Sequence, residues 1–250
     1  MKTLFSLLLI CFASIQSFAD CAGSGIYIWP ATTTNISEMP LITVEGYYRD
    51  QEVVRKIGKE YNLYLKSANH VVRLIPMEIL EGEMDLTQVV LKPVRALKAN
   101  IEYELIATSI PKSSTAIPEV LDLRIPNSKW TVKAIKDNTL PLFTSAPKWI
   151  GSIITYYGCG PAKYINFEFE TNETNNYLVR TTLTNTTDDS EFTYYLSADG
   201  IISVGHGMCS GAFNPIAGVK YKIEFSLLDG SWNKGKTVSY EVVYNPENGN

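Results

Sequence analysis

The segment GHGMCSG holds the residues best suited to metal or thiol chemistry. His206 and Cys209 are three positions apart between glycines, and Cys159 could supply a third ligand. Imidazole and thiolate together suit zinc or copper. In an oxidising compartment, however, paired cysteines are usually disulfides. We therefore expect a Cys159–Cys209 disulfide, with no cofactor and no catalytic residue, and keep a metal-binding protein or small envelope enzyme built on these three residues as the alternative.

Two groups of carboxylates are further candidates for chemistry. They are Glu78, Glu81, Glu83 and Asp85 in MEILEGEMD, and Asp188, Asp189 and Glu191 in a later segment. The first group could serve a glycosidase, which needs two carboxylates at a controlled separation in a cleft. The second could offer oxygen ligands to calcium, although it lacks the pattern of a calcium loop. We interpret the first group as an acidic hairpin tip around Gly82 and the second as a solvated turn.

Pairs of adjacent tyrosines suggest a binding surface. Neighbouring residues on a strand point to opposite faces, so one member of each pair should face outward. Outward aromatic rings can stack against a sugar or pack against another protein. The predicted surface consists of Tyr48, Tyr157, Tyr195, Trp149 and Trp232.

Composition narrows the function classes. The chain has 250 residues, of which 45% are hydrophobic and 19% charged, and its net charge is −4. Such a chain can bury a real core. It lacks the basic face that nucleic acid binding requires. The sequence contains no nucleophile-elbow, zinc-protease or phosphate-loop motif.

The first 19 residues have the pattern of a cleaved signal peptide. Lys2 is followed by the apolar run LFSLLLICFASI and by SFA, which predicts cleavage after Ala19. That run is too short to span a bilayer. We expect an exported protein, periplasmic, cell-surface or secreted, without a transmembrane segment. Cys21 is then left over near the new N-terminus, where it could be free, cap another chain or compete for one of the other cysteines.

The elements that must position these residues are strands. Short alternating runs rich in Val, Ile, Thr, Tyr and Phe recur along the chain, for example YNLYLKS, YINFEFET and YKIEFSL. Turn residues separate them, and this spacing is typical of antiparallel sheets packed face to face. QEVVRKIGKEY fits a strand or a short helix equally well. The predicted fold class is all-β.

A repeated segment divides the chain in two. LKANIEYEL at 97–105 and PIAGVKYKI at 215–223 align with a constant offset of 118 positions, from Tyr103 to Tyr221. A tyrosine just after a tight turn forms a tyrosine corner in Greek-key sandwiches. Asn100 and Gly218 suit the turn because they tolerate positive φ. We predict β-sandwich domains at 20–137 and 142–250, joined by a linker at 138–141.

The first domain also resembles the bacterial Ig-like domains of surface-layer and other exported proteins. GIYIWPATTTNISEMPLITVEG has an aromatic-Pro start, a Thr/Asn-rich turn and a first inward strand, and LKANIEYEL has the corner. The second half shares the corner, and LLDGSWNKGKTVSYEVV is similar to the last hairpin of such modules. The resemblance implies two tandem Ig-like sandwiches.

The function predicted from these observations is a non-enzymatic binding or structural module of the cell envelope or the extracellular space. Its partner would be another envelope protein or a surface glycan. A carbohydrate-binding module is one alternative, and the metal-binding or enzymatic use of His206, Cys209 and Cys159 is the other. Ig-like modules serve many functions, so the fold alone does not choose among them.

Overall fold

The computed structural model describes residues 23–32, 34–110, 119–122, 126, 128–134, 137–174 and 176–248. The predicted signal peptide and Cys21 lie outside these residues. The regular secondary structure of the described chain is almost wholly antiparallel strand, which confirms the all-β class. None of its helices is long and apolar enough to cross a membrane.

The N-terminal half forms one sheet. Its strands are β1 (Gly25–Trp29), β2 (Ile42–Tyr47), β3 (Tyr61–Lys66), β4 (Val71–Glu81), β5 (Leu86–Pro93), β6 (Glu102–Ser109), β7 (Val120–Leu121) and β8 (Lys129–Thr131). The order is β1-β2-β5-β4-β3-β6-β7, and β8 also pairs with β6. Alternate residues from both ends of the sheet, such as Ile26, Leu63 and Trp130, meet in one buried core. The sheet therefore curves around its own core.

A short helical segment follows β2. A 3-10 turn at Tyr48–Asp50 leads into helix α1 at Gln51–Arg55. Val54, within the helix, and Ile57, just after its end, are buried in the core. The first five residues of QEVVRKIGKEY are therefore helical, and its last residue, Tyr61, begins β3.

The C-terminal half forms two four-stranded sheets. Its strands are β9 (Phe143–Tyr157), β10 (Gly160–Thr171), β11 (Tyr177–Asn185), β12 (Glu191–Leu196), β13 (Ile201–His206), β14 (Lys220–Asp229), β15 (Val238–Val243) and β16 (Glu247–Asn248). One sheet has the order β13-β10-β9-β16 and the other β12-β11-β14-β15. Phe167 of the first sheet packs edge to face on Phe225 of the second, with ring centroids 5.0 Å apart. Their shared core makes this half a β-sandwich.

The two repeated tyrosines have the same geometry. The Tyr103 hydroxyl accepts a hydrogen bond of 3.1 Å from the backbone N–H of Lys98, and that of Tyr221 accepts one of 2.9 Å from Ile216. In each case the donor lies five residues upstream. The turn between them contains a residue with positive φ, Asn100 or Gly218. The partner is thus a backbone donor, which a phenylalanine would leave unsatisfied.

The two halves share a buried contact. Leu41 and Val90 of the N-terminal half cluster with Leu178, Tyr195 and Leu228 of the C-terminal half. The described strands of the first sheet lie within 25–131 and those of the other two within 143–248. Separate folding of two domains stays a prediction. The contact between the halves is what creates the site described next.

Candidate functional site

The floor of the site is the outer face of β1, β2 and β5. Tyr27 pairs with Glu45, and Glu45 pairs with Gln88 on the next strand. Directly paired residues of antiparallel strands project from the same face. Trp29 and Thr43, which also pair, lie two residues further along that face. The alternation that sends the intervening apolar side chains into the core therefore sends these five outward.

The C-terminal half covers this face and leaves a cavity of about 470 Å³. This first cavity has a volume within the usual range for small-molecule sites. Its far wall consists of Leu178 from β11, Tyr194, Tyr195 and Leu196 from β12, and Ser203, Gly205 and His206 from β13. Tyr27 is 60% exposed, so the cavity is open to solvent on that side.

Glu45 is the titratable group at the centre of the floor. Its Oε2 accepts a hydrogen bond of 2.9 Å from the Tyr194 hydroxyl and one of 3.3 Å from the Gln88 amide. Burial raises the pKa of Glu45, and these two hydrogen bonds oppose that shift. Burial and the nearby carboxylate in turn raise the pKa of Tyr194. Tyr194 thus remains a protonated donor to a carboxylate that water solvates poorly.

Gln88 has an unsatisfied acceptor beside this carboxylate. The side chain is only 3% exposed. Its Nε2 donates to Glu45 and to the backbone oxygen of Tyr195, at 3.1 Å. Its Oε1 has no hydrogen-bond partner among the described residues. Buried polar atoms are rarely left unpaired, because each costs about 1–3 kcal/mol. This oxygen has almost no accessible surface, so a ligand in the cavity would have to move the side chain to reach it.

Aromatic rings border the polar floor. Tyr27 stacks on Tyr47, with centroids 5.6 Å apart and an interplanar angle of 18°. This contact supports one face of the Tyr27 ring at the open side of the cavity. Trp29 and Tyr164 also line the cavity. Flat apolar rings next to hydrogen-bonding groups suit ligands that have both apolar and hydroxylated faces.

Two further glutamates hold the halves together. Glu78 accepts a hydrogen bond of 2.9 Å from the Tyr195 hydroxyl, and Glu83 accepts one of 2.8 Å from the backbone N–H of Asn214. Burial raises the pKa of Glu83. The pKa of Tyr195 is raised to about 12, mainly by burial and then by Glu78. The segment forms the expected hairpin around Gly82, between β4 and β5, and these two carboxylates are acceptors at the contact between the halves.

The other carboxylates have separate local partners. Glu81 pairs with Arg55 at 3.0 Å, and Asp85 accepts a hydrogen bond from Gln51. Asp188 accepts hydrogen bonds from the backbone and the hydroxyl of Ser190, which lower the pKa of its carboxyl group. Among the described residues that line the first cavity, Glu45 is the one carboxylate, so none of these groups faces it there.

The five aromatic residues predicted as a binding surface lie on different elements. Trp149 and Tyr157 are about half exposed on β9. Tyr48 lies in the 3-10 turn. Trp232 is half-buried beneath the ammonium group of Lys92, which is 5.2 Å from its ring. Of the five, Tyr195 lines the first cavity.

Tyr195 also corrects the expectation that one member of each tyrosine pair faces solvent. Tyr194 is 1% exposed and Tyr195 is 5% exposed. One face of β12 packs on the sandwich core, and the N-terminal half covers the other. By contrast, Tyr156 and Tyr157 are both exposed. Two adjacent tyrosines in the sequence indicate that one of them faces away from the sandwich core. They do not indicate whether another part of the chain covers that residue.

The predicted Cys159–Cys209 disulfide is absent from the structure. Cys159 lies in the turn between β9 and β10 and carries a free thiol, whereas Cys209 is not free. Loop-closure entropy favours no particular partner among several cysteines strongly enough to assign a bridge. Cys21, which the sequence left as a competitor, lies outside the described residues. The expected pairing was therefore wrong, because proximity in sequence was its main support.

His206 is buried beside the first cavity. Its Nδ1 is 2.6 Å from the backbone oxygen of Gly207, and its Nε2 is 3.2 Å from Oδ1 of Asn214. Lys163 also donates to that Asn214 oxygen, at 2.9 Å. Within the described ranges, no three His, Cys, Asp or Glu side chains are placed to hold a metal ion. Both ring nitrogens already have oxygen neighbours, so this geometry favours a structural hydrogen-bond network.

Sequence reasoning missed Tyr27, Glu45 and Gln88. The available signal was their alternation with apolar residues in GIYIW, ITVEGY and LTQVV. That alternation indicates side chains facing away from the core, as is true here. It does not indicate that another part of the chain covers them.

Comparisons with known proteins give no family. No protein-family model matches this chain, and no curated protein does. Among solved structures, pullulanase type I from Bacillus subtilis str. 168 complexed with maltose is 12% identical at a TM-score of 0.20, over 80% of this chain and 24% of that one. Pullulanase from Anoxybacillus sp. LM18-11 is 10% identical at a TM-score of 0.21, over 84% and 25%. The chain spans about a quarter of the length of those proteins, and likeness at this level carries no conclusion about function.

Proposed function

We propose that this chain is a non-catalytic binding module, exported by its predicted signal peptide to the cell envelope or the extracellular space, and that it binds a carbohydrate in the first cavity. The Ig-like relationship of its domains belongs to the same proposal. The observation that carries it is a solvent-open cavity of about 470 Å³ in which the aromatic rings of Tyr27 and Trp29 lie beside the carboxylate of Glu45. Aromatic rings next to a hydrogen-bond acceptor suit a ligand that has apolar faces and hydroxyl groups.

Carbohydrate chemistry matches the other groups of the cavity. Sugar hydroxyls can donate to Glu45 and can accept from serine hydroxyls such as those of Ser203 and Ser210. The apolar C–H face of a sugar ring packs well on an aromatic ring, and Tyr27 and Trp29 provide such rings. Each type of lining group then has a counterpart on the ligand.

Binding without catalysis follows from the carboxylates. Glycoside hydrolysis ordinarily requires two carboxyl groups on opposite sides of the scissile bond. Among the described residues that line the first cavity, Glu45 is the one carboxylate. Its Oε2 is already occupied by Tyr194 and Gln88. We therefore assign Glu45 to ligand binding and to the contact between the halves.

The test is a glycan array followed by isothermal titration calorimetry with the best ligand. Tyr27→Ala should weaken binding by about three- to tenfold, because a stacking contact is worth about 0.5–1.5 kcal/mol. Tyr156→Ala is the matched control: Tyr156 is 70% exposed on β9 and does not line the cavity. Absence of binding to every glycan, or equal losses in both variants, would refute the proposal.

A further inference from the structure

The wall of the first cavity continues into an open sheet face. Tyr164 and Gly205, which line the cavity, pair with each other, and Tyr164 pairs with Ile153 of β9 on its other side. Directly paired residues share a face. The opposite face of these strands, which includes Ile165 and Val204, is buried in the sandwich core. The outer face of the β13-β10-β9 sheet is therefore one surface, which begins at the cavity and reaches solvent on β9.

Uncharged side chains cover this outer face, which we call the platform. Residues two apart on a strand project from the same face, so Thr155 and Tyr157 lie on it with Ile153. The platform consists of Ile153, Thr155, Tyr157, Tyr164, Asn166 and Ser203. All six side chains are uncharged. Aromatic and aliphatic groups give a sugar ring an apolar surface, and hydroxyl and amide groups give it hydrogen-bonding partners. The platform thus suits a neutral saccharide.

Tyr164 connects the cavity with the exposed end of the platform. Its hydroxyl lies 3.5 Å from the position that a Cβ would take at Gly207, another residue of the cavity wall. Burial raises the pKa of Tyr164, and the Tyr157 hydroxyl adds to that shift, so the two phenol groups lie close to each other. Tyr157 is 55% exposed and is not among the described residues that line the cavity. A ligand that contacts both the cavity and Tyr157 must therefore extend out of the cavity.

From this continuity we infer that the ligand is an uncharged oligosaccharide of several linked rings, and that Tyr164 and Tyr157 are stacking positions for the rings outside the first cavity. This inference rests on the proposed carbohydrate function. One ring lies beside Tyr27 and Glu45 in the cavity. The next ring leaves the cavity over Tyr164, and a later ring packs on Tyr157.

The experiment measures affinity against chain length by calorimetry. The probes are neutral β-1,4-linked series of glucose, mannose, xylose and N-acetylglucosamine, each from the monomer to the hexamer. In a series that binds, the tetramer should bind at least about tenfold more tightly than the monomer, because further stacking contacts are added. Tyr157→Ala should weaken tetramer binding by about three- to tenfold and leave monomer binding unchanged. Tyr27→Ala should weaken the binding of both.

Tyr156→Ala is the matched control. Tyr156 is the neighbouring tyrosine on β9, is 70% exposed, and projects from the opposite face of the strand. This variant should leave both affinities unchanged. Tyr157→Phe keeps the ring and should retain the tetramer affinity, which separates lost stacking from a local change in folding. An equal loss in Tyr156→Ala and Tyr157→Ala would overturn the inference.

The remaining outcomes separate this inference from the proposed function. Equal affinity for monomer and tetramer, or a tetramer affinity that Tyr157→Ala does not change, overturns the inference and leaves the carbohydrate function standing. The same conclusion follows if a charged glycan of the array binds and no neutral series does. Absence of binding to every glycan overturns both. A dimer in analytical ultracentrifugation that Tyr157→Ala dissociates would show that the platform is an interface between two copies, and would overturn the inference.

Discussion

Replacing Tyr194 by phenylalanine tests the contact between the halves that forms the first cavity. The change removes a hydroxyl that donates to Glu45 at 2.9 Å and leaves the ring, which is 1% exposed, in the core. Hydrogen bonds to charged groups contribute about 1.5–3 kcal/mol. We therefore expect Tyr194→Phe to lower the free energy of unfolding by about 2 kcal/mol at neutral pH.

The loss should depend on pH with a definite sign. The pKa of Glu45 is raised in the folded protein, mainly by burial. Its contribution to stability is therefore fully present below the unfolded pKa and is lost as the pH rises through the folded pKa. The hydrogen bond from Tyr194 lowers the pKa of Glu45 in the folded protein. Removing it therefore widens the difference between the folded and the unfolded pKa of Glu45. The effect of Tyr194→Phe should then be largest above the folded pKa of Glu45 and shrink as the pH falls through it.

Urea denaturation followed by tryptophan fluorescence provides the assay. Measurements at pH 7 and at about pH 4, near the ordinary glutamate pKa, give the pH dependence. Combining Tyr194→Phe with Glu45→Gln gives a double-mutant cycle. We expect a coupling energy of at least about 1 kcal/mol at pH 7. Coupling near zero, or a larger loss at acid pH than at neutral pH, would refute the assigned hydrogen bond and its electrostatic role.

Two further predictions concern the corners and the cysteines. Tyr103→Phe and Tyr221→Phe should each lower the free energy of unfolding by about 1–3 kcal/mol in urea denaturation, because a backbone N–H loses its acceptor. If neither variant has an effect, the repeated tyrosines have no structural role. Maleimide should label Cys159 in the native protein, and Cys159→Ser should abolish that labelling; a Cys159–Cys209 linked peptide in a non-reducing digest would contradict the free thiol.

Much of the fold could be predicted from local pattern. On a strand, apolar side chains that face the core alternate with side chains that face away from it. This alternation is visible in the sequence, and it predicted the all-β class. Tyr103 and Tyr221 were identifiable because a tight turn followed by a tyrosine is a local motif. Segment 51–55 was ambiguous, because five residues fit either period, and only the backbone of the structure shows that it is a helix.

The site could not be predicted in the same way, because it depends on how two layers meet. The sequence indicated that Glu45 and Gln88 face away from the core, but not that β12 would lie above them. Tyr195 was correctly chosen as outward-facing and is nevertheless buried for the same reason. Contacts between distant segments, such as that between Glu45 and Tyr194, have no period in the sequence.

The most direct test of the central claim is a crystal structure of the protein in complex with the tightest-binding oligosaccharide from the glycan array. We predict a sugar ring packed on Tyr27 in the first cavity, with a hydroxyl group about 2.7–3.2 Å from the carboxylate of Glu45. An oligosaccharide bound elsewhere, for example on the exposed aromatic side chains of β9, with the first cavity left empty, would contradict this claim.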